Sequence, residues 1–169
     1  MKKYLILFVS TVLVSCETKT VEVPVVAGEQ FWGDNQGEGF VPGPKEDLQT
    51  ALDILYGYAD AEFDMISEKS LDTVYFRPEK GGEVITMAKP FTDFLKGLHE
   101  PYDSIKRQAW NAYPISPVGA ENYTIVSIPF SETRYKKDGT VENESVFERF
   151  ILKDGKLLRV NKWVAESNE

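Results

Sequence analysis

The chain has 169 residues, a formal net charge of −8, 42% apolar residues and 12% aromatic residues. Such an acidic chain offers no electrostatic footprint for nucleic acid, and its apolar content excludes disorder throughout. Cys16 is the single cysteine, so no internal disulfide can form and the core alone must hold the fold.

The first element is a leader. Met1-Lys2-Lys3 opens with positive charge, an apolar run follows from Tyr4 to Val14, and Ser15-Cys16 closes it. A basic head, an apolar stretch of about 7–15 residues and a small residue at the cut describe a secretory signal. The run is too short to cross a bilayer as a helix, which takes roughly 20 apolar residues. With Cys16 directly behind Leu13-Val14-Ser15, the segment resembles the lipobox of bacterial lipoproteins. The resemblance implies removal of residues 1–15, lipidation of Cys16 by palmitate-type chains, and a place in the bacterial cell envelope at the outer membrane. Loss of Lys2 and Lys3 leaves the mature chain more acidic still. The membrane bond would then rest on acyl chains and not on attraction to anionic lipid.

Residues 16–45 have no sustained hydrophobic period and are interrupted by Pro24, Gly28, Gly33, Gly37, Gly39, Pro42, Gly43 and Pro44. That composition reads as a tether. Phe31-Trp32 and Phe40 are unusual in a linker and leave two readings open, a free tether or one docked on the domain that follows.

One domain is expected over residues 46–169. Leu48, Ala51, Leu52, Leu55, Tyr58 and Ala59 share one face of a helix that begins near Glu46, and Phe63 and Ile66 continue it. Gly57 weakens the middle of this helix by up to about 1 kcal/mol, which allows a bend or break there. After Asp72 the period becomes two. Thr73 to Phe76 and Val84 to Met87 read as strands about a turn at residues 80–83. Phe91, Phe94, Leu95 and Leu98 then predict a short helix between Pro90 and Pro101. Strands follow over 104–115, 123–135, 141–153 and 156–165. Asp138-Gly139 and Asp154-Gly155 supply hairpin turns between the last three. Pro129 cannot donate to a ladder and predicts a bulge or an edge.

Long helix, strand pair, short helix and long strands make an α+β order. The stretch from Phe147 to Trp163 holds two strands around Lys153-Asp154-Gly155-Lys156, with an aromatic near the end. It resembles the final hairpin of the nuclear transport factor 2-like superfamily, which includes polyketide cyclases (SnoaL-like) and ketosteroid isomerases. The resemblance covers residues 46–165. It implies a cone-shaped fold, a curved antiparallel sheet wrapped around N-terminal helices, with an apolar pocket at its open end. It also implies frequent homodimers through the outer sheet face.

Chemistry is less legible. Isomerase chemistry needs a carboxylate base and donors in an apolar cavity. Tyr58, Asp64, Tyr75, Asp93, Tyr123 and Glu148 are the groups that could supply them, yet none sits in a spacing that transfers a catalytic role. Asp64 and Asp93 read as solvated helix carboxylates. His99, the only histidine, reads as a favourable residue near a helix C-terminus. One histidine and one lipidated cysteine assemble no ordinary zinc site, and no calcium loop, phosphate loop or dinucleotide fingerprint occurs. No catalytic residue, metal or cofactor is therefore assigned. Tyr58, Tyr75, Trp110, Tyr123 and Trp163 are the candidate pocket residues. Trp110 and Tyr113, an odd number apart on one strand, should face opposite sides of the sheet, and Trp163 is expected as a core aromatic. The leading functional expectation is an envelope lipoprotein whose non-catalytic cone binds a small apolar ligand or a partner. Two alternatives stand beside it: an acid–base isomerase- or dehydratase-like enzyme, and a pure dimerisation module.

Overall fold

The computed structural model describes residues 25–31, 34–79, 82–120 and 122–165. The leader, Cys16, Trp32 and the tip of the turn at 80–81 lie outside them. Among the described residues the order is β1 (Phe40–Pro42), α1 (Lys45–Ala59), α2 (Phe63–Glu68), β2 (Ser70–Arg77), β3 (Ile85–Ala88), α3 (Thr92–His99), β4 (Tyr102–Ala109), β5 (Tyr113–Pro117), β6 (Tyr123–Lys136), β7 (Val141–Lys153) and β8 (Lys156–Ala165).

The eight described strands form one curved, unclosed sheet in the order β1-β5-β6-β7-β8-β2-β3, with β4 added beside β6. All pairs are antiparallel except β2 with β8. The α+β cone expected from the sequence is the observed architecture, with that one parallel pair as an addition. α1 and α2 fill the concave side.

α1 starts behind Pro44, whose fixed φ suits a helix entry, with Glu46 and Asp47 in the favourable first turn. Asp47 is buried and accepts a hydrogen bond from Thr124 of β6, which pins the helix start to the sheet. The helix runs through Gly57 and ends beyond it. The chain reverses at Ala61, which takes φ 58°, while the Glu62 N–H donates to the Gly57 carbonyl at 2.8 Å. Gly57 is a point of close approach: a Cβ there would lie 2.3 Å from Met65 Cε of α2.

The expected strand over 104–115 divides into β4 and β5. β6 carries both in succession on one edge, pairing Ala109 with Phe130 and Tyr113 with Ser127. The changeover falls at Pro129, whose carbonyl takes the Trp110 N–H at 3.0 Å. Proline has no N–H to return, so the ladder is interrupted there and residues 110–112 leave the sheet. β6 itself continues straight through and pairs Pro129 with Phe147. The bulge or edge expected at this proline is thus a break in the neighbouring strand.

Residues 40–42, expected within the tether, form edge strand β1 against β5, and Ala27 bridges Phe40. The Gly43 N–H donates to the Pro114 carbonyl at 3.0 Å. Of the two readings, docking holds for this part of the segment, because Phe40 brings backbone donors and acceptors to an open sheet edge.

The core is Ala51, Ile54 and Leu55 of α1, Phe63 and Ile66 of α2, Val74, Met87 and Phe91, and the alternating run Val126, Ile128, Phe130 of β6 with Val146, Phe150, Leu152 of β7 and Leu157 of β8. Trp163 belongs to the opposite face. It is 42% exposed and lies against Phe147 at a ring separation of 5.6 Å. Its neighbours Lys162 and Val164 take the inward positions, so strand alternation sends it outward. Phe150→Ala is expected to cost about 3–5 kcal/mol as a core truncation, and Trp163→Ala only about 1 kcal/mol as a lost aromatic pair. Urea unfolding of both variants checks this, and equal losses would contradict the assignment of faces.

Candidate functional site

Inside the cone lies an open cavity of about 430 Å³. Ile54 of α1, Ile66 of α2, Val74 and Phe76 of β2, Met87 of β3, Phe91, and Phe94, Leu95 and Leu98 of α3 form most of its apolar wall. Phe150, Leu157 and Val160 close the sheet side. Each arises from strand or helix period: 74 and 76 alternate on β2, while 91, 94, 95 and 98 keep one helix stripe.

Seven polar residues also line it: Tyr58, Glu79, Tyr102, Arg107, Arg134, Glu148 and Lys162. Three of them, Arg107, Arg134 and Lys162, converge on one further residue, Glu132, which is 1% exposed on β6. Arg107 Nε donates to Glu132 Oε2, and Arg134 Nε donates to Oε1 at 2.6 Å. Lys162 Nζ stands 3.6 Å from Oε1. Arg107 also gives Nη1 to the Leu55 carbonyl at 2.9 Å, tying β4 to α1. Its guanidinium lies 4.7 Å from the Tyr58 ring centre and 5.1 Å from that of Phe130. Arg134 reaches Glu144 at 2.9 Å and sits over the Tyr102 ring at 5.6 Å. Lys162 reaches the partly exposed Glu79 at 3.3 Å.

These contacts fix the protonation states. Burial alone would raise the Glu132 carboxyl, but Arg107, Lys162 and Arg134 outweigh it and hold the group down at about 2. Glu148 lies across the β7–β8 ladder from Lys162 without sharing in that cluster's ion pairs. Burial raises it, and Arg107 and Lys162 offset this only in part. Burial likewise pushes the Tyr58 hydroxyl up to about 12. The cavity therefore presents a neutral phenol and a carboxyl biased toward its proton-bearing form beside two fixed cations. Such an end can donate hydrogen bonds to an oxygen of a bound molecule. It can also hold or release a proton at Glu148.

Of the five residues proposed from sequence, Tyr58 alone stands on this wall. Tyr75 is 38% exposed, because Val74 and Phe76 on either side take the inward positions. Tyr123 lies on the outer face with its ring 5.4 Å from Lys153 Nζ. Trp163 is outward as described above. Trp110 and Tyr113 are both exposed, and strand alternation does not relate them, since the chain leaves the sheet between them. Asp64 and Asp93 are exposed on their helices. His99 ends α3, with its ring 5.7 Å from those of Tyr58 and Phe63. Among the described residues no three His, Cys, Asp or Glu side chains are grouped to hold a metal.

Arg107, Glu132, Arg134 and Lys162 went unread in the sequence, although a signal exists. Each is a charge placed in the inward phase of an apolar alternation, as in Val126-x-Ile128-x-Phe130-x-Glu132-x-Arg134. A charge that keeps core parity is either paired or functional.

The sequence matches no family model and no curated protein. Among solved structures, one similar to it is a protein from Streptomyces avermitilis assigned as a dehydratase of the nuclear transport factor 2-like family. Its TM-score is 0.61 at 10% identity, over 73% of this chain and 96% of that one. An epoxide hydrolase of M. tuberculosis gives 0.58 at 12% identity, over 72% and 84% of the two chains. The CaMKII hub of S. rosetta gives 0.58 at 19% identity, over 74% and 100%. The chain has the nuclear transport factor 2-like fold.

Glu132→Ala leaves the buried Arg107 without a carboxylate and takes one from Arg134 and Lys162, and it is expected to cost about 3–5 kcal/mol. The pH dependence has two opposite parts. Glu132 titrates at about 2 in the fold against 4.5 ordinarily, so its contribution is complete above 4.5 and lost as pH falls toward 2. Glu148 is raised, so its contribution is complete below its ordinary value and lost as pH rises through the raised one. Glu148→Gln is therefore expected to gain stability relative to wild type as pH rises above 4.5. Urea unfolding across pH 4–9 measures it, and parallel profiles would contradict it.

Proposed function

We propose that this chain is a cell-envelope lipoprotein whose cone holds one small, mostly apolar molecule by an oxygen-bearing end. The observation that carries the binding part is the 430 Å³ cavity, apolar over most of its wall and polar at Tyr58, Arg107, Glu148 and Lys162. Binding sites for small molecules have this composition, with a broad apolar surface for affinity and few polar groups for orientation. The cations at the polar end are already neutralised by Glu132 and Glu79, which favours a neutral carbonyl or hydroxyl ligand over a fully charged one. The envelope part rests on the leader sequence, in which Lys2, Lys3, the apolar run and Cys16 follow the lipoprotein order.

One observation favours acid–base catalysis as a second reading. Glu148 is a buried carboxyl with a raised pKa on the cavity wall, which Tyr58 also lines as a second donor, and such groups gather at catalytic sites. In that reading Glu148 exchanges the proton while Tyr58 and Arg107 steady the developing oxyanion.

The full chain is expected to bind the neutral fluorophore 1-N-phenylnaphthylamine at one site per chain. Leu95→Trp, which fills the cavity from α3, should weaken this at least tenfold with an unchanged melting curve. Undiminished binding by that variant would overturn the cavity assignment. Glu148→Gln keeps binding in both readings, and a turnover found with a carbonyl ligand and lost in Glu148→Gln would select the catalytic one. Cys16→Ala is expected to abolish palmitate labelling in the producing cell, and undiminished labelling would overturn the anchor.

A further inference from the structure

The two faces of the sheet differ sharply in charge. Register places five rows of outward side chains across β5, β6, β7, β8 and β2, and none contains Asp or Glu in a chain that has 27 of them. One row runs Tyr113, Ser127, Arg149, Asn161, Arg77. The next runs Ile115, Ile125, Ile151, Arg159, Tyr75, and the row on the other side holds Pro129, Phe147 and Trp163.

Arg77, Arg149 and Arg159 thus surround Asn161, two of them directly across the ladder from it and the third two residues along β8. None of the three has an ion-pair partner among the described residues. Arg149 and Arg159 each bury an Nε, and Asn161 an Oδ1, that has no hydrogen-bond partner among the described residues. Every cation of the inner cluster, by contrast, is matched by a carboxylate. Beside the arginines stand the exposed rings of Trp163, Phe147, Tyr75 and Tyr113.

We infer that this outer face is a docking surface for a protein partner that presents carboxylates. Arginine and aromatic residues without Asp or Glu are the composition of protein–protein interface cores, and Trp, Tyr and Arg are the residues that carry most binding energy there. Planar guanidinium forks with free N–H groups match carboxylates in two-point geometry. A two-fold axis passing through Asn161 would set this arginine cluster against itself, so a second copy could meet it only with the axis displaced along the face.

The test uses the full chain in detergent with poly-L-glutamate as the probe, read by tryptophan fluorescence. Saturable binding that weakens with salt, and weakens tenfold or more in Arg149→Gln/Arg159→Gln, is the expected result. Arg77→Gln, exposed and structurally light, keeps the test valid if the double variant misfolds, and should weaken binding severalfold. Lys106→Gln, at the far end of the same face, should change it less than twofold. No binding, or binding equal in all variants, overturns the proposal. Sedimentation showing a dimer that Arg149→Gln or Trp163→Ala dissolves would assign the face to a second copy and overturn it. Headgroup quenching of Trp163 in phosphatidylglycerol vesicles, absent in phosphatidylcholine vesicles and lost with the arginines, would assign it to lipid and overturn it equally. Phenylnaphthylamine binding in the cavity is read separately, so either assignment can fail without the other.

Discussion

A single carboxylate organises the interior of this cone. Glu132 sits in the middle of β6 with Arg107 from one neighbouring strand, Arg134 from its own, and Lys162 from two strands away. Burying a lone charge costs many kcal/mol, and burying a cluster is tolerable only when each member is satisfied. Here the satisfaction reaches beyond the sheet: Arg107 bonds the last full turn of α1, and Lys162 bonds Glu79 in the loop after β2. The cluster therefore couples β4, β6, β8, α1 and the β2–β3 loop. It also keeps one end of the cavity polar while the other is wholly apolar. Hydrophobic packing alone would have filled that space, since an apolar replacement of similar volume is often at least as stable.

The same constraint explains why Glu148 behaves unlike Glu132. Both are inward residues two strand positions from a core phenylalanine, and both see Arg107 and Lys162. The geometric difference is direct contact. Glu132 accepts hydrogen bonds from two guanidinium groups, whereas the cations around Glu148 are already engaged elsewhere. Environment separates two identical side chains into a paired anion and a carboxyl biased toward its protonated form.

Much of the fold was legible because it rests on local period and turn chemistry. β7 and β8 begin and end where the sequence places them, since Asp154-Gly155 at φ 51° and 76° supplies the turn the pattern requires. The split of β4 from β5 was not legible, for it depends on what Pro129 does to a neighbouring strand, which is a tertiary effect. The pocket residues were misplaced for a related reason. Tyr75 offers a hydroxyl donor and Trp163 a large ring, while membership of the wall is set by parity. Large aromatics at odd phase fall on the outer face however apolar they are. Charges at core parity, Glu132 and Arg107 among them, held the better information about the site.

The cavity also bears on where the fold is least stable. α3 contributes Phe94, Leu95 and Leu98 to its wall, yet none of its residues is fully buried. An amphipathic helix whose apolar stripe faces empty space lacks the burial that stabilises its neighbours. Its local opening therefore costs comparatively little free energy. A molecule that fills the cavity would cover those three side chains and complete the packing of α3. Occupancy and local stability are then two expressions of one free energy, because a ligand that binds only the closed helix stabilises it by mass action. The apolar stripe that the sequence displays at 91, 94, 95 and 98 is thus buried at Phe91 and left partly open to the cavity at Phe94, Leu95 and Leu98.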